Sequence, residues 1–94
     1  MREECLDMFR ALADATRQDI LEMLQEHERS VNEICEFFEN MTQPTISHHL
    51  QILKRCNVVK SRREGKMIYY SINKKALRNG FEEFIARFHI QILD

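Results

Sequence analysis

The 94-residue sequence has one proline, two glycines and no tryptophan. So few turn-forming residues in a chain of this length predict one small, mostly helical domain. No apolar run approaches the roughly 20 residues that a membrane-spanning helix requires. The charged first residues also lack the apolar core of a signal peptide, so we expect neither secretion nor a membrane partner.

Cysteine is scarce as well. Cys5, Cys35 and Cys56 are an odd number without a CxxC pair, which argues against a disulfide scaffold and favours a reducing, cytoplasmic environment. The sequence also lacks a glycine-rich phosphate-binding loop and a recognisable Ser/His/Asp set, and a chain this short leaves little volume for a substrate cleft. It therefore predicts a protein that is not an enzyme and needs no cofactor.

Acidic residues are nearly absent from one long segment. Residues 54–78 contain nine basic side chains and a single acid, Glu64, whereas residues 1–53 contain four basic and eleven acidic side chains. The net charge of −1 hides this asymmetry. A concentrated basic segment is typical of a phosphate-binding surface, although a solvated surface balanced by nearby acids would have the same composition.

The stretch 42–57 predicts a helix with one apolar side. Thr42 can cap its start, and Asn57 can end it in the left-handed conformation. Between them, Ile46, Leu50 and Leu53 recur at helical spacing, while the opposite side and the N-terminal tip are polar. A helix that reads DNA in the major groove has these features, although an ordinary amphipathic surface helix would share them.

Three further helices are predicted before this stretch. They cover residues 3–12, about 15–26, and a helix that opens with a capping box at Ser30 and Glu33. A polar link over 26–29 joins the second helix to the third. The third helix and the one that follows form a helix-turn-helix over about 31–57.

A β-hairpin is predicted over about 58–72, because β-branched and aromatic residues flank the turn pair Glu64-Gly65. A hairpin directly after a recognition helix is a wing, whose basic tip can reach phosphates or the minor groove. Asn73 then caps a last helix over about 74–93. The predicted fold class is mostly α with a small β-hairpin, a single winged helix-turn-helix domain over 1–94 with four helices, two strands and a final helix.

The first and last helices carry more large apolar side chains than a domain of this size can easily cover. We predict that they pack together and form a dimer interface, and the alternative is that they only complete the core of the monomer. The predicted interface residues are Leu6, Phe9, Leu77, Phe81, Phe84, Ile85, Phe88 and Ile92.

Several motifs occur in a characteristic order: residues 9–17 followed by Ile20-Leu21, residues 31–34, residues 42–50, and residues 62–66 followed by Tyr69-Tyr70. In these motifs, over roughly residues 6–78, the sequence resembles the ArsR/SmtB family of winged-helix transcriptional repressors. The resemblance implies a homodimer, joined through the first and last helices, that binds an operator with dyad symmetry and represses transcription. The sequence departs from the family in a longer turn before Thr42 and in Asn57, which replaces a usual glycine.

The candidate base-reading residues lie at the start of the recognition helix, where polar side chains can pair with base edges: Gln43, Thr45, Ser47 and His48. His49 lies at the edge of the apolar stripe, where packing or a phosphate contact is expected. Basic residues are expected to contact the phosphates of double-stranded DNA: Lys54, Arg55, Lys60, Arg62, Arg63 and Lys66. For Arg17, a phosphate contact and an ion pair with Asp14 or an acid of its own helix are equally open.

The sequence predicts no metal site, although many members of the family sense metals. The family's Cys-x-Cys pair on the third helix falls at Ser30 and Asn32. Its last-helix ligands are matched only by His89, Asp94 and the pair Glu82-Glu83, at unsuitable spacing.

A thiol switch is the next possibility. It would rest on Cys35 with Cys5, whereas the alternative for Cys35 is a small buried hydrophobe. A thiol- or metal-responsive repressor, control through another protein or through expression level, and a winged helix that binds a protein in place of DNA stay open as alternatives.

Overall fold

The computed structural model describes residues 3–90, with side chains from Leu6 onward. This part of the chain forms five helices and a three-stranded antiparallel sheet, which is a winged helix with one strand more than predicted. In chain order the elements are α1 (Glu3–Leu12), α2 (Ala15–Leu24), β1 (Arg29–Ser30), α3 (Val31–Glu36), α4 (Gln43–Arg55), β2 (Val59–Glu64), β3 (Met67–Ile72) and α5 (Lys74–Arg87).

The predicted helix starts are confirmed by their caps. The Asp14 carboxylate accepts a hydrogen bond from the Arg17 backbone N–H and opens α2. Ser30 and Glu33 form the capping box of α3, and the Thr42 hydroxyl accepts from the Thr45 N–H at the start of α4. Each of these side chains satisfies a backbone donor that has no partner inside its helix.

The end of α4 is also as predicted. Asn57 adopts a φ of 65°, in the left-handed region. The N–H groups of Asn57 and Val58 donate to the carbonyls of Lys54 and Leu53, which is the hydrogen-bond pattern of a Schellman motif. The turn directs the chain from the recognition helix straight into β2.

The sheet has the order β1-β3-β2, and its hairpin is the predicted wing. Glu64 pairs with Met67, so the turn is Gly65-Lys66, one residue later than the predicted pair. Gly65 has a φ of 61°, which glycine adopts without strain. Strand β1 replaces part of the predicted polar link: Arg29 pairs with Tyr70, and a strand of two residues has no sequence periodicity that could reveal it.

The last helix is shorter than predicted. It ends at Arg87, whereas the apolar repeat indicated about residue 93. The N–H groups of His89 and Ile90 donate to the carbonyls of Ala86 and Ile85, and His89 has a φ of 56°. A second Schellman motif therefore stops the helix although the apolar residues continue. Ile92, predicted for the interface, lies outside the described residues.

The core lies between α2, α3, α4 and the start of the sheet. Ile46, Leu50 and Leu53, the predicted apolar stripe of α4, are fully buried. They pack with other fully buried side chains: Ile20, Ile34, Val58 and Val59. Because the stripe points inward, the polar side of α4 faces solvent.

Helices α1 and α5 pack against each other within the chain. The Phe9 ring meets the rings of Phe81 and Phe84 edge to face, with centroids 5.4 and 5.1 Å apart. Leu77 and Ile85 are half-buried, whereas Leu6, Phe81 and Phe88 are 41%, 44% and 54% exposed. The two helices thus help to complete the monomer and still leave apolar surface uncovered.

Within residues 3–90 no helix combines the length and the hydropathy needed to cross a bilayer.

Candidate nucleic-acid interface

The N-terminal half of α4 presents its polar side to solvent. Gln43, Thr45 and His48 are exposed, and Ser47 is half-buried. The Thr45 hydroxyl lies 3.0 Å from the hydroxyl of Thr42, which fixes its direction beside the helix start. These four sequence-predicted side chains therefore form one polar tip that a ligand can reach.

A groove of about 200 Å³ separates this tip from the wing. It is lined by Gln43 and Ser47 of α4, by Lys66 of the hairpin turn, and by Val31, Asn32, Met67 and Ile68. The groove brings together three predicted site residues from two elements that are distant in sequence. Donors and one cation around a concave opening suit an anionic polymer such as DNA.

Sequence reasoning missed Asn32 and Ile68 in this groove. The sequence indicates Asn32 only as part of the 31–34 motif and as a metal-ligand position of the family, and Ile68 only as part of a strand. The signal for Ile68 was available, because alternate residues of β3 point to one face and Tyr70, two residues on, is buried. Ile68 lies on that same face, yet it is 39% exposed because the wing extends past the body.

The predicted phosphate-binding residues do not all lie together. Lys54 and Arg55 are exposed at the end of α4, about 18 Å along the helix axis from Gln43 at 1.5 Å per residue. Lys60, Arg63 and Lys66 are exposed on the wing. Arg63 donates from Nε to the Gly65 carbonyl at 3.2 Å, which keeps its guanidinium near the hairpin turn.

Arg62 is engaged within the protein. Its Nε lies 3.0 and 2.9 Å from the two carboxylate oxygens of Glu28, and its Nη2 contacts Glu28 as well. Nη1 donates to Glu64 at 2.9 Å, and the guanidinium lies 4.6 Å from the centre of the Tyr69 ring. The carboxylates of Glu28 and Glu64 raise the pKa of the Arg62 guanidinium, and the guanidinium in turn lowers the pKa of Glu28.

His49 is held by Arg17. The Nδ1 atom of His49 is 3.3 Å from Nη1 of Arg17 and 3.9 Å from the Asp14 carboxylate. A guanidinium only donates, so Nδ1 is the acceptor in the contact with Arg17. The side chain of His49 is 16% exposed, which fits the packing half of its prediction.

The Arg17 side chain makes contacts that the sequence did not predict, and its phosphate contact stays a prediction. Its Nε donates to the Ala11 carbonyl at 2.6 Å and its Nη2 to the Arg10 carbonyl at 3.3 Å. These are carbonyls at the end of α1, which have no partner inside that helix. Arg17 thus joins α1 to the recognition helix through His49, an arrangement that sequence spacing did not reveal.

The thiols of Cys35 and Cys56 are half-buried, and burial raises the pKa of both. A raised pKa reduces the thiolate fraction, on which nucleophilic reactivity depends. The side chain of Cys5, the predicted partner of Cys35, lies outside the described residues. Among the side chains that the structure describes, no three His, Cys, Asp or Glu residues are grouped as metal ligands.

Known proteins resemble this chain in sequence and in fold. The family model described as bacterial regulatory protein, arsR family, matches residues 14–61. The transcriptional repressor SdpR of Bacillus subtilis is 41% identical over 73 residues, which cover 78% of this chain and 80% of SdpR.

Two solved structures share the fold. The crystal structure of an ArsR family transcriptional regulator has a TM-score of 0.82 and 25% identity, covering 93% of this chain and 88% of that one. The homodimeric winged helix-turn-helix DNA-binding domain of a possible ArsR-family regulator from Mycobacterium bovis has a TM-score of 0.74 and 32% identity, covering 93% and 82%. The chain therefore belongs to the ArsR family of winged-helix transcriptional regulators, a family of DNA-binding proteins that are not enzymes.

Proposed function

We propose that this chain is a homodimeric transcriptional repressor that binds a palindromic operator. The observation that carries the proposal is the groove in which Gln43 and Ser47 of the recognition helix face Lys66 of the wing. Base-reading and phosphate-binding groups share this opening, as a winged helix on DNA requires. The proposal places the protein in the cytoplasm with its DNA.

The recognition helix has suitable dimensions for the major groove. Its 13 residues span about 20 Å, and the groove is about 12 Å wide. With Gln43, Thr45, Ser47 and His48 at the base edges, Lys54 and Arg55 at the far end reach phosphates beside the groove. Gln43 pairs with adenine, and the hydroxyls accept or donate to several bases.

The wing supplies the second contact. Lys60, Arg63 and Lys66 are exposed on it and face phosphates or the minor groove, while Asn32 and Ile68 line the path between wing and helix. These contacts give affinity and salt dependence more than sequence preference. Nε2 of His49 is free of the contact with Arg17 and is available to a phosphate.

The exposed apolar side chains of α1 and α5 support the homodimer. Leu6, Phe81 and Phe88 are large and more than two-fifths exposed, and a partner subunit would cover them. The Mycobacterium bovis relative is homodimeric, and SdpR is a repressor. Two-fold symmetry would place the two recognition helices about 34 Å apart, which predicts an operator with half-sites one helical turn apart.

The test is fluorescence anisotropy of labelled DNA from the promoter of its own gene, with unrelated DNA as competitor. We expect specific binding, and we expect Gln43→Ala to reduce it about tenfold, because a bidentate base contact contributes 1–3 kcal/mol. Gln25→Ala is the matched control, since Gln25 is an exposed glutamine at the end of α2. No preference for promoter DNA by the wild type would favour a protein-binding winged helix.

The same titration with zinc, and then with a disulfide-forming oxidant, tests for a metal switch and for a thiol switch. Loss of binding with oxidant alone would implicate Cys35 and Cys5. Loss with zinc alone would show a metal site that the described residues do not contain. Binding that survives both conditions would support a repressor without a zinc or thiol switch.

A further inference from the structure

Arg62 crosses the outer face of the sheet. It belongs to β2, its guanidinium lies over Tyr69 of β3, and it ends on Glu28, the residue before β1. Arg62 and Tyr69 are directly paired in the sheet register. The Arg62 side chain therefore reaches from β2 across β3 to the residue that precedes β1, in the order in which the strands lie.

The contact is also geometrically specific. Glu28 receives Nε and Nη2 of the guanidinium side by side, and Glu64 receives Nη1. Bidentate pairing of a planar guanidinium with a carboxylate fixes orientation as well as distance. Strand β1 has only two residues, so backbone pairing alone attaches the wing weakly to the helical body at this edge.

The neighbouring cations are bound differently. Among the described side chains, no carboxylate forms a hydrogen bond or an ion pair with Arg63 or Lys66. The Arg63 guanidinium hydrogen-bonds only to the Gly65 carbonyl of its own turn. A phosphate can approach either of them without displacing an acid. A phosphate at Arg62 would have to replace two carboxylates.

We infer that Arg62 and Glu28 position the wing, and that Arg62 is not one of its phosphate contacts. The inference rests on the proposed function and revises the role that the sequence predicts for Arg62. Arg63 and Lys66 then carry the phosphate contacts of the wing. The Arg62–Glu28 pair sets the angle at which the wing presents them.

Removing Glu28 separates the two roles, because they predict opposite changes. If Arg62 positions the wing, Glu28→Ala weakens operator binding about fivefold relative to Glu26→Ala, an exposed-acid control with the same change of charge. If Arg62 binds phosphate, Glu28→Ala frees it, and binding equal to or tighter than that of Glu26→Ala overturns the inference.

A charge exchange provides the second variant. The experiment uses a Glu64→Gln background. In it, Arg62→Glu alone is expected to weaken operator binding about tenfold, whereas Arg62→Glu combined with Glu28→Arg is expected to restore the affinity to within about threefold of the background protein. The control pairs Arg62→Glu with Glu26→Arg, which has the same charge but no partner in place. Two outcomes would overturn the inference. One is equal restoration of binding by Glu28→Arg and by Glu26→Arg; the other is a slope of log affinity against log salt concentration that is lower by about one unit in the protein with Arg62→Glu and Glu28→Arg.

Amide hydrogen exchange without DNA keeps the inference separate from the proposed function. The amides of β3 should exchange faster in Glu28→Ala than in Glu26→Ala, and the exchanged pair should restore their protection. Unchanged protection in Glu28→Ala overturns the positioning role even if no DNA binds. Faster exchange in a protein that ignores promoter DNA would leave the positioning role intact and overturn the proposed function.

Discussion

Single polar side chains close the ends of the helices in this chain. Arg17 and Gln18 donate to the carbonyls of Arg10, Ala11 and Leu12 at the end of α1, and Asp14 caps α2 directly afterwards. A turn of two residues is thereby held from both sides without a glycine. Because Arg17 also reaches His49, the same turn contacts the recognition helix.

Asp14→Ala should destabilise the fold by about 1 kcal/mol, because an N-cap side chain is lost. The hydrogen bond from the Arg17 backbone N–H lowers the pKa of Asp14 below its ordinary value of 3.8. Its charge therefore stabilises the folded state above that value, and the contribution disappears as the pH falls through the lower folded pKa. Urea unfolding of wild type and of Asp14→Asn, which keeps an uncharged cap, should differ at pH 7 and converge as the pH falls below the ordinary pKa of 3.8. A constant difference would refute the assignment.

Asn57 shows the cost of a left-handed residue other than glycine. Because Asn57 has a φ of 65°, Asn57→Gly should stabilise the folded chain by up to about 1 kcal/mol, and Asn57→Ala should destabilise it by about as much. Thermal unfolding of the three proteins checks the order. Asn40→Gly and Asn40→Ala, at an exposed asparagine without this conformation, serve as controls that should not reproduce it.

Helices α1 and α5 approach each other closely at Gly80. Gly80 is buried, and a methyl group at its Cα would overlap the end of the Met8 side chain. From sequence alone, a glycine inside a helix predicts only a weaker helix. The structure shows that its missing side chain makes room for α1.

In the wild type, Gly80→Ala should therefore stabilise by less than the about 1 kcal/mol that helix propensity alone would give, because the flexible end of Met8 has to move. In a Met8→Ala background the overlap is gone, and the same change should be stabilising by about 1 kcal/mol. Denaturant unfolding of the wild type, the two single variants and the double variant gives the coupling free energy between residues 8 and 80. Equal effects of Gly80→Ala in both backgrounds would contradict the packing.

Elements were predictable where their cause is local. The capping box of α3, the apolar stripe of α4 and the hairpin depend on residues a few positions apart, and all are confirmed. Strand β1 and the end of α5 were not predictable. Strand β1 depends on its pairing with β3, and the end of α5 depends on backbone turns rather than on apolar periodicity. The contacts of Arg62 with Glu28 and of Arg17 with His49 join residues 34 and 32 positions apart, which no single-sequence pattern specifies.

For the molecule as a whole, the proposed homodimer places the uncovered apolar side chains of α1 and α5 between its two subunits. Phe81→Glu should give monomers in sedimentation velocity and abolish operator binding, because a buried charge would prevent the two subunits from meeting. Phe37→Glu is the matched control: Phe37 is 59% exposed but lies at the end of α3. Dimers of Phe81→Glu, or monomers of Phe37→Glu, would locate the interface elsewhere.

The segregated charge predicts a strong salt dependence despite a net charge of −1. Each phosphate neutralised contributes about −0.9 to the slope of log affinity against log salt concentration. Arg63→Gln should therefore reduce the slope by about one unit in each subunit. Arg10→Gln, at an exposed arginine paired with Asp7 on α1, should leave the slope unchanged, and a similar loss there would indicate a general charge effect.

The chain has no tryptophan, and its two tyrosines are neighbours in β3. Tyr69 lies beneath the guanidinium of Arg62, and Tyr70 is buried against the core. The intrinsic tyrosine emission of the whole protein therefore originates in the wing strand. Without any label, its intensity would report whether the wing is seated on the body, and a ligand that changes it must act on that strand.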